Sequence, residues 1–415
     1  MSRLGDCADM LVGFAFKSAG FLDADATGVK LLRGDNVQQG HIRWGDKTKK
    51  WPESEYEELA RYQLKEDDVI LAMDRPIVGD GLKMAWIKSE DLPALLVQRV
   101  CCLRGKPGIA TTNFLRYVLA APEFSAHIHR ITTGANIPHI SGKDIASYEF
   151  KLPPIAEQEL IVECLSAYDD LITTNQRRIT LLEEAARRLY REWFVQLRFP
   201  GHEQVKVQDG VPEGWLSGTA HDFVTIMSGG TPNTRMDSYW DGDIPFFTPK
   251  DAPDTFFVLE TEKHLTESGV TKCNSKLFTK GTVFITARGT VGKIAMAQRA
   301  MAMNQSCYAL EPKLDYDNCF LFLAIKEAVE HVRQVASGGV FSAIIVDTFK
   351  IIPFLLPEPE LTKRFGDLVR PIFGQVENLL LQNQQLAQAR DLLLPKLMSG
   401  QLDVSGIRLP DATVA

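Results

Sequence analysis

Along residues 155–200, mostly apolar positions recur at steps that alternate between four and three. They are Ile161, Leu165, Tyr168, Ile172, Asn175, Ile179, Leu182, Ala186, Leu189 and Trp193. The alternation returns near the C-terminus in Phe365, Val369, Ile372, Val376, Leu379, Asn383, Leu386, Arg390 and Leu393. This spacing is a heptad seam and predicts two long helices, starting near Ile155 and near Glu360. A helix of about 40 residues would span about 60 Å. Pro395 is expected to end or kink the second. Each seam is interrupted by one amide, Asn175 at a d position and Asn383 at an a position. In an antiparallel pair a positions meet d positions, so the two amides are expected to hydrogen-bond and set the register of one intramolecular coiled coil. The alternative packs each helix on its own domain and leaves both amides in water.

Outside the seams the pattern is different. Short β-branched and aromatic runs, Val69–Met73 and Val283–Ala287 among them, are bounded by Gly, Asp and Pro and read as strands. Phe114–Ala121 and Leu321–Val335 read as helices. These mixed regions resemble each other in order. Asp68-Val-Ile-Leu-Ala-Met-Asp matches Thr282-Val-Phe-Ile-Thr-Ala-Arg, and Asn113-Phe-Leu-Arg-Tyr-Val-Leu-Ala matches Asn318-Cys-Phe-Leu-Phe-Leu-Ala. Thr132-Thr-Gly-Ala-Asn-Ile then faces Ala336-Ser-Gly-Gly-Val-Phe, and Lys151-Leu-Pro-Pro faces Leu355-Leu-Pro-Glu-Pro. The chain therefore reads as an α+β protein with an internal pseudo-two-fold repeat. Mixed α/β domains are expected at 1–150 and 205–352, with helical segments at 151–204 and 353–415.

Composition narrows the class. A chain of 415 residues predicts two or three domains. With 45% hydrophobic and 24% charged residues it is an ordinary globular composition. No apolar run reaches the roughly 18 residues that a membrane-spanning helix needs, and the N-terminus lacks the signature of a signal peptide. Seven cysteines are scattered without C-x-x-C spacing, which predicts neither a disulfide framework nor a structural zinc and suits a reducing cytoplasm. The net charge of −7 gives no global basic footprint, so any nucleic-acid contact must rest on a local pattern.

Several stretches carry a family resemblance. Leu152-Pro-Pro-Ile-Ala-Glu-Gln-Glu-Leu-Ile-Val, followed by Leu181-Leu-Glu-Glu-Ala-Ala-Arg-Arg-Leu-Tyr-Arg-Glu-Trp-Phe-Val, resembles the central conserved helix of the specificity subunits of type I restriction–modification systems. Ser228-Gly-Gly-Thr-Pro-Asn-Thr with Tyr239-Trp-Asp-Gly-Asp-Ile-Pro-Phe is similar to the opening of their target-recognition domains. Gly13-Phe-Ala-Phe-Lys-Ser-Ala-Gly-Phe with Leu32-Arg-Gly-Asp-Asn-Val is a further match, and Leu394-Pro-Lys-Leu-Met-Ser-Gly-Gln-Leu fits the usual ending. The second helix departs, opening Leu-Pro-Glu-Pro-Glu-Leu-Thr-Lys without the Glu-Gln pair.

The resemblance implies a non-catalytic subunit with two target-recognition domains, each reading half of a bipartite, gapped duplex DNA target. The helices would space them and dock two modification subunits, and two restriction subunits would join. S-adenosylmethionine, ATP and Mg are then expected on the partners only, and no cofactor on this chain. Half-sites about one helical turn apart, roughly 34 Å, suit a pseudo-two-fold reader.

Base edges and phosphates are met by Arg, Lys, Asn, Gln, Ser and Thr. In the first domain that nominates Lys17, Ser18, Arg33, Asn36, Gln38 and the cluster Lys47, Lys49 and Lys50. In the second it nominates Thr231, Asn233, Thr234, Arg235, Lys250, Arg288 and Lys293. On the helices Leu160, Leu171, Leu181, Phe194 and Val195 are apolar beyond what a two-stranded seam buries, and are expected to meet partner subunits. No catalytic motif emerges. Arg288-Gly-Thr-Val-Gly-Lys293 lacks phosphate-loop spacing, with Ile294 where a hydroxyl belongs. His127, His129 and His139 lack accompanying metal ligands, and Cys101-Cys102 lies in an apolar run that reads as buried strand. Two other readings stay open: the equivalent subunit of a type IIB-like system, and a coiled-coil scaffold for proteins. A free-standing nuclease or methyltransferase would need motifs that are missing.

Overall fold

The computed structural model describes residues 1–79, 81–132, 138–335 and 343–404. The repeat blocks at Thr132–Ile137 and Ala336–Phe341 lie almost wholly outside the described residues. The chain forms two compact units, one of residues 1–170 with 386–415, the other of residues 171–385.

In the first unit the main strands are β1 (Ala8–Val12), β2 (Val29–Leu32), β3 (Val69–Ala72), β4 (Met84–Trp86), β5 (Ala94–Leu96) and β6 (Val100–Gly105). They make an antiparallel sheet in the order β1-β6-β3-β4, while β2 and β5 pair in parallel. The apolar run Val100-Cys-Cys-Leu is legible as the central strand because both faces of the sheet are covered. Cys101 faces a core with Phe114 and Leu119 from helix α1 (Thr112–Ala120), and Cys102 faces a second core with Leu32 and Ile87. Burial pushes the Cys101 thiol up to about 12, so this pair packs rather than reacts. Helix α2 (Ile155–Tyr190) begins in this unit and ends in a five-residue π turn at Arg191–Val195 in the other.

The second unit repeats the plan. Its main strands are β7 (Val224–Ser228), β8 (Trp240–Phe247), β9 (Phe257–Val258), β10 (Val283–Thr286), β11 (Ile294–Ala297), β12 (Ala302–Met303) and β13 (Cys307–Pro312). The sheet order is β7-β13-β10-β11-β9, with β8 and β12 parallel. Val69 pairs with Leu103 as Val283 pairs with Leu310, so the aligned strands occupy the same place and register. Gly13 and Gly229 mark a shared close approach: a Cβ there would lie 2.3 Å from the carbonyl oxygen of Val97 or Met303. Helix α3 (Asn318–Val335) covers this sheet as α1 covers the first. Among the described residues no helix is long and apolar enough to cross a membrane.

Helix α4 (Pro359–Ser399) continues without interruption past Pro371 and Pro395. The expected break at Pro395 does not occur, because Leu394 and Leu397 on either side of it are buried in the first unit's core. The two helix starts also differ in a readable way. Gln158 is fully buried, accepting from Thr111 N at 2.9 Å and donating to the carbonyls of Ile109 and Pro153, both at 2.9 Å. It ties the start of α2 to the loop entering α1. Thr362, at the matching place in α4, is equally buried but donates to Pro359 O at 2.7 Å within its own helix. The missing Glu-Gln pair is thus a changed tether, not a lost helix.

Candidate nucleic-acid interface and helical anchors

At one edge of the first unit the loops after β1, β2 and β3 and the loop before β6 come together. They and Lys83, which precedes β4, line an open cleft of about 580 Å³. Phe16, Ser18, Phe21, Arg33, Asp74, Arg75, Gln98 and Arg99 contribute to its walls. Four cations (Arg33, Arg75, Lys83, Arg99) against two carboxylates (Asp35, Asp74) make it locally basic in a chain of net charge −7. Burial lowers the Lys83 pKa, partly offset by the nearby Asp35 carboxylate. Burial raises the Asp74 carboxyl, but hydrogen bonds from His139 and Arg99 outweigh this and leave it below the usual range.

The nominated residues divide by what they touch. Lys17, Ser18 and Lys47 are exposed, and Arg33 lies 3.8 Å from Asp35. Asn36 is buried; its Oδ1 accepts from Arg33 N at 3.0 Å and its Nδ2 donates to Arg43 O at 3.1 Å. In the second unit Asp251 does the same, accepting from Thr248 N at 2.8 Å. Asn36 therefore fastens its loop and does not face outward. Gln38 is spent on the carbonyls of Asp35 and Val37. Lys49 pairs with Asp23, and Lys50 donates to Ala26 O at 2.7 Å. Of the eight first-unit positions, Ser18 and Arg33 line the cleft.

The equivalent edge of the second unit is gathered by Thr231, whose hydroxyl donates to Gln305 Oε1, and by Thr290, which donates to Pro249 O at 2.8 Å. Thr231, Asn233, Thr234, Arg235, Lys250 and Arg288 are all exposed. Asn233 Oδ1 accepts from Arg235 N at 3.0 Å, and Lys250 lies 4.0 Å from Glu262. Lys293 differs: its ammonium is held by Asp254 at 2.7 Å and by Ala252 O.

Sequence reasoning missed Arg75, Lys83, Gln98 and Arg99. The signal was available at Gln98 and Arg99, which stand just before the apolar run of β6, where the strand leaves the core.

On the helices, Asn175 is 1% exposed and its Nδ2 donates to Asn383 Oδ1 at 3.0 Å. Asn383 Nδ2 donates in turn to Ile172 O at 3.3 Å. Within this same unit Trp193 stacks edge-on against Phe365 at 5.6 Å, so the partner number falls as the number along α2 rises. Within the first unit Asp169 meets Arg390 at 2.6 Å. Leu171, Leu181 and Val195 are 45%, 70% and 53% exposed. Phe194 is not available to a partner: it is buried against Phe320, Phe365 and Trp215, because the π turn rotates it into the second unit's core. Leu160 is half-buried against the first unit's own core.

The chain thus combines two units of one topology, each with a polar loop edge, with two long helices carrying matched amides. The family described as the type I restriction modification DNA specificity domain matches residues 1–184 and again 212–382. The chain belongs to that family. Its specificity domain is present twice, in agreement with the internal repeat. The type I restriction enzyme HindI specificity subunit of Haemophilus influenzae is 23% identical over 411 residues, covering 83% of this chain and 88% of that protein. The EcoAI specificity subunit of Escherichia coli is 36% identical over 174 residues, 41% of this chain and 28% of that one. A type I restriction–modification S subunit from M. genitalium has the same fold, with a TM-score of 0.55 and 15% identity over 95% of both chains. This chain is thus a type I restriction–modification specificity subunit.

Proposed function

We propose that each unit of this specificity subunit reads one half of a bipartite, gapped duplex DNA target through its loop edge. The observation that carries this is one loop scaffold built twice with different outward side chains. The loop fastened by Asn36 in one copy is fastened by Asp251 in the other, while the exposed residues around them differ. A scaffold that stays fixed while its contact residues change is what separate recognition of two unlike half-sites requires. The chain performs no catalysis in this reading. Two modification and two restriction subunits bring S-adenosylmethionine, ATP and Mg, and the complex works in the cytoplasm.

The helices pair as an antiparallel coiled coil that sets the gap. The Asn175–Asn383 hydrogen bond supports that register, since a polar pair at one seam layer disfavours shifted alignments. Adenine-methylation mapping in a methylation-free host expressing the chain with its modification subunit tests the function. A two-part motif with a fixed gap is expected. Unmodified DNA from a verified soluble complex would overturn the reading. Binding should also weaken linearly in log salt, with a slope near −0.9 per phosphate contacted.

Docking of the modification subunits uses the apolar side chains that α2 leaves in water. Replacing Leu171 and Leu181 by Asp is expected to abolish co-purification with those subunits while the far-ultraviolet circular dichroism stays that of the parent. Retained co-purification would place the docking surface elsewhere.

A further inference from the structure

Two arginines on the wall of the first cleft hold backbone conformations that L residues rarely adopt. Arg75 has φ 46° and Arg99 φ 65°. Left-handed backbone at a non-glycine residue persists only where surrounding structure enforces it, and it clusters at functional positions. Here the enforcement is visible. Arg75 N donates to Pro138 O at 2.8 Å, and Met73 N donates to Arg99 O at 2.8 Å.

The repeat supplies an internal control. Ala287 N donates to Ser306 O, and Ile344 N to Ala287 O, just as Met73 N donates to Arg99 O and Ile140 N to Met73 O. Met73 thus matches Ala287, Arg99 matches Ser306, and Arg75 matches Gly289. Gly289 turns left-handed too, at φ 77°. The fold requires that conformation at this corner, and glycine is the residue that adopts it without strain. The first unit places an arginine there instead, so the side chain and not the backbone accounts for its presence.

The second arginine is pre-oriented. Asp74 receives Arg99 Nη1 at 2.7 Å and is itself held by His139 Nδ1, leaving the rest of the guanidinium fork pointing to solvent; the Arg99 side chain is 68% exposed. In the second unit the position of Asp74 is occupied by Arg288 and that of Arg99 by Ser306. The charge pattern is therefore rearranged and not copied.

Resting on the proposed DNA-reading role of the units, we propose that Arg75 and Arg99 are specificity-determining residues that read guanine in the first unit's half-site. A guanidinium fork matches the O6 and N7 acceptors of guanine in the major groove. A lysine in its place keeps the charge for a phosphate but loses the bidentate geometry.

The test uses the complex of this full chain with its modification subunits, and compares the parent with R75A, R99A, R75K and R99K. Methylation mapping reads the motif, and duplex binding across a salt series reads affinity. The parent is expected to show guanine in the half-site that changes when the first unit is exchanged. Each alanine variant should relax that half-site at one G·C pair by roughly 5- to 150-fold, leaving the other half intact. Each lysine variant should relax it less than alanine does, since an ammonium still donates to O6 or N7 without the planar fork, while keeping the salt slope. Three results overturn the inference: no guanine in that half-site, an unchanged motif in all four variants, or a loss uniform across sequences with the slope reduced by about one, which marks a phosphate clamp. Absence of any bipartite motif in the parent would instead overturn the underlying function.

Discussion

Replacing Phe365 by Ala is expected to destabilise the second unit by about 3–5 kcal/mol, the range for removing a large aromatic side chain from a packed core. Phe365 is fully buried at the start of α4 and lies within ring contact of residues from two other helical segments. Its ring centroid is 5.0 Å from Phe194, 5.6 Å from Trp193, 6.1 Å from Tyr190 and 6.5 Å from Phe320. The substitution empties the point where the end of α2, the start of α4 and α3 converge. Close packing on all sides leaves little scope for collapse around the void, which favours the upper part of that range. Urea unfolding followed by tryptophan emission checks this, because Trp193 reports the site directly. Leu368, one turn further and 53% exposed, is the comparison: its replacement by Ala should cost below about 0.5 kcal/mol. Similar midpoints for the two variants would show that the cluster does not anchor the helix.

Much of this architecture was legible because it is periodic or repeated. The seam residues from Ile161 to Trp193 are buried or half-buried without exception, and the two seam amides meet. A heptad pattern reports one face of one element, so tertiary context had little to override. The match of Val69 with Val283 held to the level of strand register because successive residues enter different cores, Val69 and Leu71 one and Ile70 and Ala72 another, and a one-residue slip would exchange them. Legibility failed where a residue's role depends on what stands opposite. Phe194 reads as surplus on a regular helix, but the π turn adds a residue to that turn and rotates the ring inward. Pro395 reads as a break, but its neighbours are locked into a core that the pattern cannot see. Asn36 and Lys293 have the chemistry of base readers, yet Asn36 is occupied by its own loop and Lys293 by Asp254 of another, whereas Arg99 reaches the cleft because Asp74, distant in sequence, holds it there. Residue type predicts what a side chain is able to bind; the fold decides whether it is free to do so.

The largest electrostatic effect is expected at Asp169. Its side chain is 11% exposed, and one carboxylate oxygen accepts from Arg116 Nη2 and from the Tyr117 hydroxyl at 2.8 Å, while the other accepts from Arg390 Nη1 at 2.6 Å. The Arg116 guanidinium, also 11% exposed, lies 3.5 Å over the Trp86 ring. Burial pushes the Tyr117 hydroxyl pKa strongly up, so it remains a donor throughout the accessible pH range. One carboxylate thus compensates two cations where α1, α2 and the end of α4 meet within the first unit. Asp169→Ala leaves Arg116 buried with no counter-charge, and removing one partner of such a pair costs about 3–5 kcal/mol. Asp169→Asn keeps an acceptor for Tyr117 but not the charge, and should fall between that and the parent. Arg390→Met should cost least, because Arg116 still neutralises the carboxylate and a flexible apolar chain suits the seam position. Unfolding of the three variants under one buffer gives the order directly. The reverse order, with Arg390→Met the most damaging, would mean that the helix-to-helix contact and not the buried charge holds this junction.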